Sequence, residues 1–226
     1  MRRRMASLGL FALLVACGSA TSKTRQASAP APPDSAWFSR VRAEDFNGDG
    51  ARDTLALQAF GPRPDSLTIR FTIRSRGREV FRTSWGSAYE LIDAPLPEQP
   101  SLHEVGAYLR TRLETDFSSV RVAPLDTAIF TRIESPAIDC SESAFGCLAW
   151  YEQVRQAGPR RSSETAEEQY RRIRSMPIDT ARVTALLEDA KRNAKTQIIL
   201  QYGYETTMIV VWSALAQRFL TIEACC

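Results

Sequence analysis

Histidine is almost missing from this chain: of 226 residues only His103 carries an imidazole. Metal motifs built on two or more histidines are thereby excluded, and a Ser-His-Asp or Cys-His catalytic arrangement would have to use that one residue. His103 follows Ser101-Leu102, inside the Ser-x-x-Glu pattern that starts a helix, which is the position of a solvated side chain. There is no Gly-x-Ser-x-Gly, no Ser-x-x-Lys, no P-loop and no glycine-rich dinucleotide turn. These absences leave open a hydrolase that uses two carboxylates, since acid pairs need no local motif. Asp139 and Glu142 are its first candidates. No internal repeat is visible, and no apolar run is long enough to span a bilayer.

An excess of charge is also lacking over most of the chain. The formal +3 comes from 29 Lys and Arg against 26 Asp and Glu, and three of the arginines are Arg2, Arg3 and Arg4. Without that segment the chain is formally neutral, which removes the support for a nucleic-acid partner. Lysine is confined to Lys23, Lys191 and Lys195; the other cations are arginines spread along the whole length.

The N-terminus is the most specific feature present. Arg2–Arg4 form a positive start, and Leu8 to Ala16 a short apolar stretch ending in small residues, as in a secretory signal. A plain signal peptide with an incidental cysteine is one reading. Leu14-Val15-Ala16-Cys17, however, resembles the lipobox of bacterial lipoproteins. The resemblance implies cleavage before Cys17, a diacylglycerol on its thiol, and a membrane held by that lipid anchor. Gly18, where an aspartate would signal retention, implies the outer membrane, facing the periplasm. Residues 1–16 are then a signal peptide, 17–36 an acylated cysteine and disordered tether, and 37–226 one folded domain. The run Ala29-Pro30-Ala31-Pro32-Pro33 and its Ser/Thr/Ala surroundings cannot bury enough surface to order themselves. Such a tether reaches about 25 Å r.m.s..

Export suits the remaining cysteines, Cys140, Cys147, Cys225 and Cys226, an even number where disulfides persist. Cys140 and Cys147 are close enough to close a small loop. Cys225 and Cys226 are adjacent, a vicinal bridge is strained, and cross-pairing to the loop is the alternative. The spacing fits no four-thiolate zinc pattern.

Hydrophobic periodicity gives an α+β order of strands, then helices, then strands. Strands are expected at Trp37–Glu44, Asp53–Phe60, Ser66–Ser75 and Glu79–Trp85, forming a meander. Leu67, Ile69, Phe71 and Ile73 alternate with Thr68, Arg70, Thr72 and Arg74, so one face is buried and one wet. A helix follows from Leu102 to about Phe117, then a polar stretch with Cys140 and Cys147. Further helices are expected over Thr165–Ser175 and after Asp179. Strands close the chain at Thr196–Tyr204, Thr207–Ser213 and Arg218–Ala224. Met208 to Trp212 is apolar on both faces and belongs in a central position. The expected architecture is one antiparallel or mixed sheet with helices packed on one face.

The loop Asp45-Phe46-Asn47-Gly48-Asp49-Gly50-Ala51-Arg52-Asp53 places side-chain oxygens at positions one, three, five and nine, with glycine at six. Calcium takes six to eight oxygens, and alternating acids on a tight turn supply several, with the Ala51 carbonyl adding one. An EF-hand does not fit, because Ala56 stands where its last glutamate is needed and a strand follows. The pattern resembles the Asp-x-Asp/Asn-x-Asp-Gly-x-x-Asp loops of FG-GAP and VCBS-type repeats, which implies calcium held by Asp45, Asn47, Asp49, Ala51 and Asp53. One such unit, over residues 37–85, implies no propeller. The alternative is a metal-free turn in which Asp and Asn bond their own backbone. Arg70, Arg74, Arg76, Arg78 and Arg82 crowd the next hairpin, as a patch for anionic lipid or cell-wall polymer or as the wet face of the sheet. The expected function is therefore a membrane-anchored, non-catalytic lipoprotein with an envelope protein or cell-wall partner. The rival is an envelope hydrolase using a carboxylate pair.

Overall fold

The computed structural model describes residues 36–134, 143–202 and 206–225, apart from the side chains of 131–134 and 225. The expected signal peptide, Cys17, the expected tether up to residue 35, Asp139, Cys140, Glu142 and Cys226 lie outside the described residues.

Four antiparallel strands open the domain in meander order: β1 (Phe38–Glu44), β2 (Asp53–Phe60), β3 (Thr68–Ser75) and β4 (Arg78–Gly86). Alternation sets their register. Leu55, Leu57 and Ala59 stand opposite Ile73, Phe71 and Ile69, so one face of the sheet is a continuous apolar surface. The other face carries Thr54, Ala56 and Gln58 opposite Arg74, Thr72 and Arg70. A one-residue slip would exchange the two faces, which is why the pattern specifies the pairing.

The chain then leaves the sheet through one helical turn, α1 (Ser87–Glu90), and enters α2 (Leu102–Ser119). Ser101 and Glu104 form the reciprocal capping box that their spacing predicts. After α2 come the short strand β5 (Arg121–Pro124) and a stretch of 3-10 helix, Thr127–Glu134. Three helices follow: α3 (Ala144–Ala157), α4 (Ala166–Arg174) and α5 (Thr180–Asn193). The chain ends in β6 (Thr196–Tyr202), β7 (Thr206–Ser213) and β8 (Arg218–Cys225). β5 to β8 make a second antiparallel sheet, in sequence order.

The α+β class and the antiparallel strands agree with the sequence reading; the division of the strands differs. They form two four-stranded sheets instead of one; α3 and α5 pack on one face of the second, and the first sheet with α2 on the other. One core joins the apolar face of the first sheet to Val105, Leu109 and Leu113 of α2 and to Ile198, Leu200, Met208, Val210 and Phe219. A second core joins Ile209, Val211, Leu220 and Ile222 to Leu148 and Ala149 of α3 and Val183, Leu186, Leu187 and Ala190 of α5. Periodicity reports that a strand is buried and on which side, but not which strand it bonds to. β7 is central, as its two apolar faces require, because each face meets a different core.

Neither β5 nor α3 follows from apolar spacing. β5 has four residues, closed by Pro124. α3 is marked by punctuation instead: Ser143 accepts a hydrogen bond from the Gly146 N–H at 2.9 Å, and Gly158 at φ +68° ends it.

Leu109 is fully buried between the sheets, whereas Leu102 at the start of the same helix is 48% exposed. Leu109→Ala should lower the unfolding free energy by about 2–5 kcal/mol through lost contact and a residual cavity. Leu102→Ala should stay within about 0.5 kcal/mol. Urea unfolding of the two variants checks the difference.

Candidate functional site

The Asp45–Asp53 loop joins β1 to β2, and the facing pair Glu44 and Asp53 closes its base. Phe46 anchors it: the ring is fully buried, and the carbonyl accepts a hydrogen bond from Thr196 Oγ1 of β6 at 3.0 Å. Gly48 and Gly50 take φ of +75° and +82°, the left-handed conformations that turn the chain sharply here. At Gly48 a side chain would also meet Lys195, whose Cδ lies 3.4 Å from an ideal Cβ.

The loop's oxygens accept its own N–H groups. Asp45 Oδ1 accepts from Gly48 at 2.8 Å and Asp49 at 3.1 Å, and its Oδ2 from Gly50 at 2.8 Å. Asn47 Oδ1 accepts from Asp49 at 3.0 Å, and Asp49 Oδ1 from Ala51 at 2.8 Å. Asp53 Oδ2 accepts from Phe46 at 3.0 Å and Asn47 at 3.3 Å. Two features go beyond an ordinary Asx turn. Asp53 is fully buried and its Oδ1 has no hydrogen-bond partner. Three carboxylates also share the loop, and Arg76, 3.1 Å from Asp49, offsets one of them. The donor set, anionic and neutral oxygens with an orphaned carboxylate oxygen, suits a hard cation. Among the described residues no three His, Cys, Asp or Glu side chains already converge in metal-binding geometry.

That ion pair also sorts the arginine hairpin. Arg76 belongs to the loop, and Arg82 pairs with Glu79 at 2.7 Å. Arg70 lies over the Phe60 ring at 5.1 Å. Arg70, Arg74 and Arg82 share a solvent-facing cavity of about 300 Å³ with Thr54, Gln58 and Thr72 on the outer face of the first sheet.

Cys147 is fully buried in α3 and is disulfide-bonded. Cys140 and Cys226 fall outside the described residues, as does the side chain of Cys225. His103 is exposed at the start of α2.

Sequence reasoning missed a carboxyl pair that has no local signal, because its members are brought together from two helices. Glu90 of α1 and Asp116 of α2 are both buried. Arg112 stands 3.4 Å from a carboxyl oxygen of each, and Trp85 Nε1–H donates to Glu90. Burial pushes the Asp116 carboxyl well above the usual range, to about 8, and the Glu90 charge and hydrogen bond add to it against Arg112. Asp116 is thus held as the acid. The cavity there, between Leu57, Phe71, Trp85 and Tyr202, is about 10 Å³, the space of one water. A catalytic acid must come within hydrogen-bond reach of its substrate. A space for one water gives that reach to water alone, and the raised Asp116 pKa bears on stability.

The native state keeps the Asp116 proton up to about pH 8, whereas the unfolded chain releases it near pH 4. Folded protein binds the extra proton across that window, so its stability is full at the acid end and falls as pH rises. The fall should reach at least about 1 kcal/mol, the worth of one pKa unit. Asp116→Asn, an uncharged amide of the same shape, should flatten it. Urea unfolding through the window checks both; a fall of equal size in the variant would refute the assignment.

Comparison with family models, with curated proteins and with solved structures finds no match for this chain.

Proposed function

We propose that this chain is a membrane-anchored, non-catalytic envelope lipoprotein whose folded domain serves as a binding or assembly module on a flexible tether. The observation that carries the reading is the N-terminal order: Arg2–Arg4, the apolar stretch to Ala16, Leu14-Val15-Ala16-Cys17, then the proline-rich segment to Ala36. Charge, apolar length and small residues stand in the order an exported and acylated chain needs. No helix among the described residues is long and apolar enough to cross a membrane. The lipid on Cys17 would then be the attachment, and the outer membrane its place.

The non-catalytic part of the proposal draws on the enclosure of Glu90 and Asp116, which leaves that acid pair no substrate. The cysteines act as structural staples in this reading, with Cys140 the nearest partner in sequence for Cys147. Calcium is proposed as a structural ion held by Asp45, Asn47, Asp49, Asp53 and the Ala51 carbonyl. It would neutralise the carboxylates that Arg76 leaves unmatched and fix the β1–β2 turn on which Phe46 is mounted.

Anchoring is tested by Cys17→Ser. One acyl chain holds a protein marginally and two hold it stably, so loss of the modified thiol should release the protein from the membrane fraction or leave it unprocessed. Unchanged partition and unchanged mass would overturn the anchor. Calcium is tested separately, by melting the full chain in calcium and in chelator. With a dissociation constant in the extracellular range of about 10⁻⁴–10⁻³ M, an ion excess of tenfold stabilises by about 1.4 kcal/mol. Asp49→Ala should abolish that response with little change in the chelator-treated protein. It removes an exposed hydrogen bond from the Ala51 N–H and the pair with Arg76, which is 71% exposed; exposed pairs contribute about 0–1 kcal/mol. Identical wild-type melting in the two conditions would strike calcium from the reading.

A further inference from the structure

A groove of about 340 Å³ lies between β4, β8 and α3, within the size range of small-ligand sites. Phe81, Val154 and Phe219 give it an apolar floor, and Arg82, Arg155 and Arg218 bring guanidinium groups to the same space. The Arg82 charge is matched by Glu79 at 2.7 Å. The others are not matched one for one. Arg155 at 2.9 Å, Arg182 at 3.7 Å and Arg218 all pair with Glu152, whose side chain is 4% exposed. Three cations thus share one buried carboxylate and make no other ion pair among the described residues. Burial holds Arg218 below the usual guanidinium range, and Arg155 and Arg182 push the same way against Glu152. Arg70 and Arg74, in the cavity on the far side of Arg82, raise the positive potential further.

An excess of arginine beside an apolar floor is complementary to a molecule with both properties. We propose that this groove binds an amphipathic anion, a hydrocarbon bearing one phosphate or carboxylate, with the anionic group among Arg82, Arg155 and Arg218 and the hydrocarbon on Phe81, Val154 and Phe219. The planar guanidinium fork matches either oxyanion with paired hydrogen bonds. The apolar floor is what an anionic polymer without hydrocarbon would leave unused. This inference deepens the binding-module reading and rests on it, but not on the anchor or on calcium.

Calorimetry on the full chain in nanodiscs of zwitterionic lipid, with empty discs as blank, tests it. The probes are hexyl phosphate, hexanoate, neutral hexyl glucoside and inorganic phosphate. At least one of the two hexyl anions should bind saturably, about tenfold or more tighter than hexyl glucoside, since charge-assisted bonds are worth about 1.5–3 kcal/mol. Which of the two binds tighter identifies the headgroup. Inorganic phosphate should bind more weakly than hexyl phosphate. Arg82→Gln and Arg155→Gln should each weaken binding about tenfold, while Arg171→Gln, on α4 and paired with Glu167, should leave it unchanged. Arg155→Gln withdraws one partner from buried Glu152, as Arg218→Gln would from a more buried position; Arg82, with a side chain 53% exposed and no contact with Glu152 in its ion pair, keeps the test independent of folding. The proposal is overturned if neither hexyl anion saturates or if hexyl glucoside binds as tightly. It is equally overturned if inorganic phosphate matches hexyl phosphate or if both arginine variants bind like wild type. None of these results alters the membrane partition of Cys17→Ser, so a failure here is distinct from a failure of the anchor.

Discussion

β7 has no polar face, and the rest of the architecture follows from that. Met208 and Val210 point into one core, and Ile209 and Val211 into the other. Burial of such side chains is worth about 1.5–3 kcal/mol each, so both sides of the strand have to be covered. A meander with one apolar face covers one side, with α2 completing the contact. Two helices with single apolar stripes, α3 and α5, cover the other. The first sheet can therefore leave its outer face to water, and the second sheet can leave neither face. Layers with one wet surface flank a layer with none.

Charged groups inside this frame survive where several donors converge on them. Asp189 joins α5 to the turn after β7: its carboxylate accepts from Ser213 Oγ at 2.6 Å, Asn193 Nδ2 at 2.7 Å and the Leu215 N–H at 2.9 Å. Burial would raise its pKa, but these hydrogen bonds outweigh burial and hold it below the usual range. Burial likewise acts on Glu152, where bonds from Arg155 and Arg218 outweigh it and keep the carboxylate charged. At Asp116 one arginine stands against burial and the neighbouring Glu90, and burial is the largest effect, so it keeps its proton instead. The same residue class thus ends in two protonation states, decided by what each element brings to the contact.

What was legible in the sequence was local. β2 matches its expected bounds, Asp53–Phe60, because alternation and the preceding Gly-Asp-Gly turn agree. The Ser101 capping box forms as its spacing dictates. The partition into two sheets was not legible, because hydrogen-bond partners of strands separated by helices leave no trace in periodicity. β5 was too short for a pattern. α3 was obscured because its buried face is built from Ala144, Gly146, Cys147 and Ala149 as much as from Leu148, so apolar spacing is weak there. The loop oxygens could be read directly, since they are contiguous. The Glu90–Asp116 pair and the Glu152 cluster could not, since each draws residues from separate elements.

Where this domain can meet another molecule is constrained by the same burial logic. Both faces of β5–β8 are occupied, so the remaining surfaces are the outer face of β1–β4, the strand edges and the helix exteriors. The edge strand β1 is unsuited to pairing with another chain. Arg40 and Arg42 alternate along it and turn back to Glu114 and the Val120 carbonyl of the α2 region. Charged residues held on an edge strand in this way disfavour added strands. β4 and β8 are edges of the two different sheets, and they approach each other with Arg82 on one and Arg218 on the other. Two sheets that share a core but not a hydrogen-bond ladder leave a cleft where their edges meet. Side chains from both edges line it, together with α3. A recess with an apolar floor and charged rim is therefore a consequence of splitting the strands into two sheets, and a single eight-stranded sheet would have closed it.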